Sequence, residues 1–199
     1  NANGVILAWE DFRNGTTADI YCQRINGSGI DQWTANGVAV CTDGAIQYGP
    51  QITLDLGGFL VVTWSDNRSS SYDVYGQQLN SSGATQWTAN GLAICNATGA
   101  QDGARVGIDG VGGYFVSWTD SRSGTSDDIY AQRLNSAGAG QWTANGVSIC
   151  NATGNQGNPA MLSVASTGAY ITWTDFRGGA TSDIYAQFIN IAGSVQWTT

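Results

Sequence analysis

Apolar and polar residues alternate along this chain in short runs rather than recurring every three or four positions. Residues 128–134 place Ile129, Ala131 and Arg133 on one face of an extended segment, and Tyr130, Gln132 and Leu134 on the other. That is the period of two of a β-strand. Residues 104–109 and 114–118 read as two more strands, joined by a tight turn at Gly110, Gly112 and Gly113. Residues 120–127 form a polar loop, and residues 135–138 turn the chain. Residues 141–150 are expected to be a fourth strand, interrupted at Asn145-Gly146, a turn or bulge signal. No apolar period of 3.6 residues is visible, so helices are not expected.

This unit occurs four times. Trp9, Trp64, Trp118 and Trp173 recur at intervals of 55, 54 and 55 residues, and Trp33, Trp87, Trp142 and Trp197 at 54, 55 and 55. Around them runs a shared phrase, W-x-D-x-R, then D-[IV]-Y-x-Q, then Q-W-T-A-N-G. Four short antiparallel strands per unit, tandemly repeated, predict an all-β, propeller-like array in a single domain. The repeats fall at about 1–46, 47–100, 101–155 and 156–199, with the terminal blades incomplete. A β-helix would have shorter coils, and a β-sandwich would not repeat its sequence so faithfully.

Composition narrows the chemistry. The chain of 199 residues has 28 Gly, 8 Trp and 8 Tyr but only 2 Pro, which is strand and turn chemistry. It contains no His and no Lys, its 7 basic residues are all Arg, and Glu10 is the only glutamate. Without His there is no imidazole base, triad or metal ligand. Without Lys there is no Schiff base or P-loop. The net charge of −8 argues against nucleic acid, and no run is apolar enough to insert in a membrane. No metal or other cofactor is expected. A chain beginning at Asn1 suits a mature secreted form.

The phrase resembles tandem propeller repeats of secreted and surface bacterial proteins, whose blades read W-x-D-x-R…D-I-Y-A-Q-R…G…W…N-G. The resemblance spans essentially the whole chain and implies a propeller in an extracellular or cell-surface setting. It implies no activity for particular residues.

Most repeated residues have structural readings. Asp11, Asp66, Asp120 and Asp175 can cap the turn after the second strand, with Arg13, Arg68, Arg122 and Arg177 pairing with them or stacking on a ring. Asp19, Asp73, Asp128 and Asp183 open the third strand in the same way, and Tyr21, Tyr75, Tyr130 and Tyr185 are expected between blades. Cys41, Cys95 and Cys150 occupy one repeat position, whereas Cys22 has no counterpart. If an intrachain disulfide forms it is Cys22–Cys41; the alternatives are four buried thiols or bridges between subunits. N-x-[ST] triplets at Asn14, Asn26, Asn67, Asn80, Asn96 and Asn151 are glycosylation candidates.

The ends break the pattern. The first unit lacks its strand one and the last lacks the rest of strand four. A fragment, a three-stranded blade, or completion of open edges by neighbouring subunits would each account for this. The expected function is a non-catalytic extracellular structural module, a surface-layer, adhesin or filament subunit, that self-associates through those edges. The alternative is a multivalent lectin binding glycans at Trp33, Trp87, Trp142 and Trp197. An enzyme is not expected, because the acids are evenly spread and Glu10, standing where other repeats have Ser65, Thr119 and Thr174, has no evident partner.

Overall fold

A computed structural model describes residues 4–198. Among these described residues there is no helix, and therefore none long and apolar enough to cross a membrane. Four antiparallel sheets follow one another along the chain. Blade one is β1 (Val5–Asp11), β2 (Asp19–Ile25) and β3 (Val38–Cys41). Blade two is β4 (Gln47–Leu54), β5 (Leu60–Asp66), β6 (Asp73–Leu79) and β7 (Leu92–Cys95). Blade three is β8 (Gln101–Ile108), β9 (Tyr114–Asp120), β10 (Asp128–Leu134) and β11 (Val147–Cys150). Blade four is β12 (Gln156–Val164), β13 (Gly168–Asp175) and β14 (Asp183–Asn190). The architecture is an all-β propeller-like array. Strands β4, β8 and β12 lie innermost and pack side by side.

The core lies between blades rather than within them. Ile20, Cys22 and Cys41 of blade one pack on Leu60, Val62 and Trp64 of blade two, and analogous clusters join blades two to three and three to four. A sheet with apolar residues on both faces needs a neighbour on each. Ile20, Val74 and Ile129 are fully buried by the following blade, whereas the equivalent Ile184 of blade four is 75% exposed. Leu60 and Val62 are covered by the preceding blade, whereas the equivalent Val5 and Leu7 are 47% and 45% exposed.

The repeated phrase builds one node per blade. In blade two the Trp64 indole N–H donates to Asp66 Oδ2 at 2.9 Å, and Arg68 donates to both Asp66 oxygens at 2.9 and 2.6 Å. The same guanidinium donates to Asn90 O at 2.8 Å, lies 4.1 Å over the Tyr75 ring, and reaches Cys41 Sγ of blade one at 3.2 Å. Arg13, Arg122 and Arg177 likewise pair with Asp11, Asp120 and Asp175, over Tyr21, Tyr130 and Tyr185. Asn36, Asn90 and Asn145 adopt positive φ, which this short amide side chain tolerates. The next residue must be glycine. At Gly146, φ is +85° and an added Cβ would lie 2.6 Å from the Trp118 ring and from Ala131 O. Gly146→Ala is therefore expected to cost about 1–3 kcal/mol. Urea denaturation should show a lower midpoint at unchanged slope.

The fourth strand is shorter than the sequence predicts. It spans only Val147–Cys150 in blade three. Before it, the buried Gln132 side chain replaces the ladder: its Oε1 accepts from Trp142 N at 3.0 Å and its Nε2 donates to Thr143 O at 2.8 Å. Gln23 and Gln77 do the same in blades one and two.

The Cys22–Cys41 disulfide is not formed. Cys22 pairs with Val38 and Cys41 with Ile20. The Cys41 sulfur instead faces Arg68, and all four cysteines are buried thiols. Burial pushes Cys22 and Cys41 up to about 12, so neither is a thiolate at neutral pH.

The node carboxylates make the fold acid-labile. Burial desolvates Asp175 and opposes its charge, yet donation from Arg177 and Trp173 prevails and holds it at about 2, against an ordinary 3.8. Donation from Arg13 holds Asp11 well below the usual carboxylate range. An acid depressed in the folded state stabilises it above the unfolded value, and that stability is lost as pH falls through the folded value. Desolvation raises Asp19, Asp73 and Asp128 instead, so protonating these favours the fold. The denaturation midpoint should hold or rise slightly as pH falls from neutral to about 4, then drop between about 4 and about 2. A steady fall between pH 7 and pH 5 would contradict this.

Candidate active site

The innermost strands of blades two, three and four begin with a bulge at the same place. Between Tyr48 and Gln51, Asp102 and Arg105, and Gly157 and Ala160 the register shifts. Gly49, Gly103 and Asn158 supply the positive φ at φ 66°, 64° and 53°. A bulge frees backbone groups from the ladder and re-aims side chains. Here it frees the Gly49 N–H, which donates to Glu10 Oε1 of blade one at 2.9 Å. The neighbouring Tyr48 hydroxyl donates to Asp102 Oδ2 of blade three at 3.0 Å.

Three blades thus contribute to one end of the innermost strands. Glu10 is exposed, and Tyr48 and Asp102 are half-buried. Tyr72 meets Tyr48 edge-on at 4.9 Å between centroids. Desolvation and the Asp102 charge push the Tyr48 hydroxyl up to about 12, so it stays a proton donor across the working pH range. Arg105 is turned away onto the carbonyls of Gly103 and Ala104, leaving both carboxylates without a cationic partner among the described residues. Among the described residues no group of three or more His, Cys, Asp or Glu could hold a metal ion.

The arrangement departs from the repeat where it carries chemistry. One position is Glu10, Ser65, Thr119 and Thr174; another is Tyr48, Asp102 and Gly157. The sequence isolates Glu10 but not its neighbours. Comparing the innermost strands from their shared first residues Gln47, Gln101 and Gln156 would have exposed the next position, Tyr48, Asp102 and Gly157, as one that does not repeat.

The tryptophans of the second set lie at blade interfaces. The indole N–H groups of Trp33, Trp87 and Trp142 donate to Ser81 O, Ser136 O and Ile191 O of the following blade, each at 3.1 Å. Their rings rest on Gly83, Gly138 and Gly193. Trp197 is 47% exposed and lies 5.7 Å from Tyr170, between ring centroids. Of the sequon residues, Asn26 and Asn80 cap their own turns through Oδ1, and Asn14 donates to Asp19. Asn67 is half-buried; Asn96 and Asn151 are exposed.

No protein-family model and no curated protein matches the sequence. Solved structures do match in fold. A protein of unknown function from Dyadobacter fermentans aligns with TM-score 0.67 at 11% identity, over 93% of this chain and 49% of that one. A thermostable family-43 glycoside hydrolase aligns with TM-score 0.64 at 10% identity, over 100% of this chain and 72% of that one. An α-L-arabinanase from Penicillium chrysogenum, complexed with arabinobiose, aligns with TM-score 0.57 at 13% identity, over 95% of this chain and 59% of that one. The chain spans about half the length of the first of these. At such identities the likeness is one of fold. It nevertheless corrects the expectation of a non-catalytic assembly module and of no enzyme. The two structures above that are named by an activity are a glycoside hydrolase and an arabinanase, and the even spread of acids that argued against catalysis is broken at Glu10 and Asp102.

Proposed function

We propose that the protein is an extracellular glycoside hydrolase whose working carboxylates are Glu10 and Asp102. One observation carries this reading: acids from blades one and three are anchored on the consecutive residues Gly49 and Tyr48, at the bulged ends of the innermost strands. Glycosidic hydrolysis needs two carboxyl groups flanking the scissile bond. One delivers its proton to the glycosidic oxygen as the C–O bond breaks. The other, ionised, takes a proton from the attacking water or attacks the sugar carbon itself, depending on their separation. The Tyr48 hydroxyl holds the Asp102 carboxylate in place, and the Gly49 N–H does the same for Glu10. A net charge of −8 suits a neutral polysaccharide rather than an anionic one. The fold shared with a family-43 glycoside hydrolase and an α-L-arabinanase supports the assignment, as does the secreted setting of the repeats this sequence resembles.

The test is incubation of the protein with arabinan, xylan and galactan, reading reducing ends and oligosaccharide products. Release from at least one polymer is expected. Absence of release from all of them would overturn the reading.

A further inference from the structure

A second polar recess opens on the same side as the carboxylate site, between blades three and four. It is a cleft of about 740 Å³, formed where the loop after β9, the connection from β11 to β12 and the loop after β13 meet. That size suits a small ligand. Its lining is mostly hydroxyl and amide side chains and small residues, with Asp128 its one charged group and Phe176 its one aromatic ring.

Asp128 is the unexplained group. It is only 4% exposed. Of its three counterparts, Asp183 is exposed and the other two are satisfied from their own loops, Asp19 by the Asn14 amide and Asp73 by the Ser69 hydroxyl. Ser123 follows Arg122 as Ser69 follows Arg68, but its hydroxyl donates to Ser126 O at 2.7 Å. Ser121 donates to the adjacent Asp127. Asp128 accepts no hydrogen bond among the described residues, and the like charges of Asp120 and Asp127 outweigh the Arg122 cation beside it. Its carboxylate oxygens are not sealed off but reach the cleft, where a ligand can bond to them directly. Phe176, 39% exposed, lines the same cleft.

We propose that this cleft is a subsite for one sugar unit of a neutral polysaccharide, with Asp128 accepting hydrogen bonds from its hydroxyls and Phe176 lying against its C–H face. The choice of ligand rests on the carbohydrate-acting reading above, but the site is separate in residues from Glu10 and Asp102. A sugar offers what the cleft lacks, hydroxyl donors on a ring with an apolar face. The carboxylate is left unpaired in the free protein and is paired only in the complex.

The test uses protein carrying Glu10→Gln, so that polymer is not consumed, and measures arabinan, xylan and galactan binding by calorimetry with and without Asp128→Asn or Phe176→Ala. Each change should weaken binding roughly tenfold or more, as expected for one charge-assisted hydrogen bond or one stacking contact. Asp128→Asn should also raise the melting temperature at pH 7, because it removes a charge that desolvation, Asp120 and Asp127 disfavour, while binding falls. Unchanged affinity in both variants, or no binding to any polymer, would overturn the subsite. So would a melting temperature raised by calcium chloride in the parent and not in Asp128→Asn without a change in sugar affinity, which would mark a cation site. Hydrolysis by the unsubstituted protein alongside any of these would leave the catalytic reading standing.

Discussion

Asp120→Ala is expected to lower the free energy of unfolding by about 3–5 kcal/mol, the range for breaking one side of a buried ion pair. Asp120 is fully buried and accepts from the Trp118 indole at 2.7 Å, from Arg122 N at 2.9 Å, and from the Arg122 guanidinium at 2.8 and 2.6 Å. Alanine leaves all of these donors without their acceptor and the guanidinium without its counter-charge. Arg122 also reaches Cys95 Sγ of blade two and Asn145 O, so the loss spreads to the blade interface. Asp11→Ala should cost much less, because Arg13 is 39% exposed and water can take over its donors. Urea denaturation of the two variants side by side checks both the size and the order of the effects. Equal losses would show that burial of the node is not what makes it stabilising.

The second large effect concerns chemistry rather than stability. Glu10→Gln and Asp102→Asn should each reduce kcat/KM on the hydrolysed polymer by about 10²–10⁴-fold, the contribution of a positioned general acid or base. Both substitutions keep shape. Glu10 is exposed and Asp102 half-buried, so neither should move the melting temperature much. The double variant should be scarcely worse than the poorer single one, because two groups acting in one step do not contribute additively.

Much of the fold is legible in the sequence because each blade repeats the same local grammar. The period of two in residues 128–134, the Gly-rich turn before Tyr114, and the recurring Trp, Asp and Arg all report local geometry. What the sequence did not reveal involves contacts between blades or side chains acting as backbone. Residues 141–150 look like one strand, yet the Gln132 amide takes over the first half of the pairing. Cys22 and Cys41 share a blade and look like partners, but Arg68 of the next blade claims the Cys41 sulfur. Trp33, Trp87 and Trp142 look like sugar platforms, but a carbonyl and a glycine of the following blade take up their N–H groups and one ring face. Glu10 stood out as the only glutamate. Its relation to Asp102 did not, because those residues are two blades apart and meet only through the bulge at Tyr48 and Gly49.

The proposed catalytic chemistry therefore lies where the repetition fails, at Glu10, Tyr48 and Asp102, while most repeated residues hold blades together. The most direct test is reducing-end release from the best polymer by unsubstituted protein, Glu10→Gln and Asp102→Asn, each at matched folded fraction. Turnover by the first and its near-abolition in both variants is the predicted result; equal turnover by all three would contradict the account.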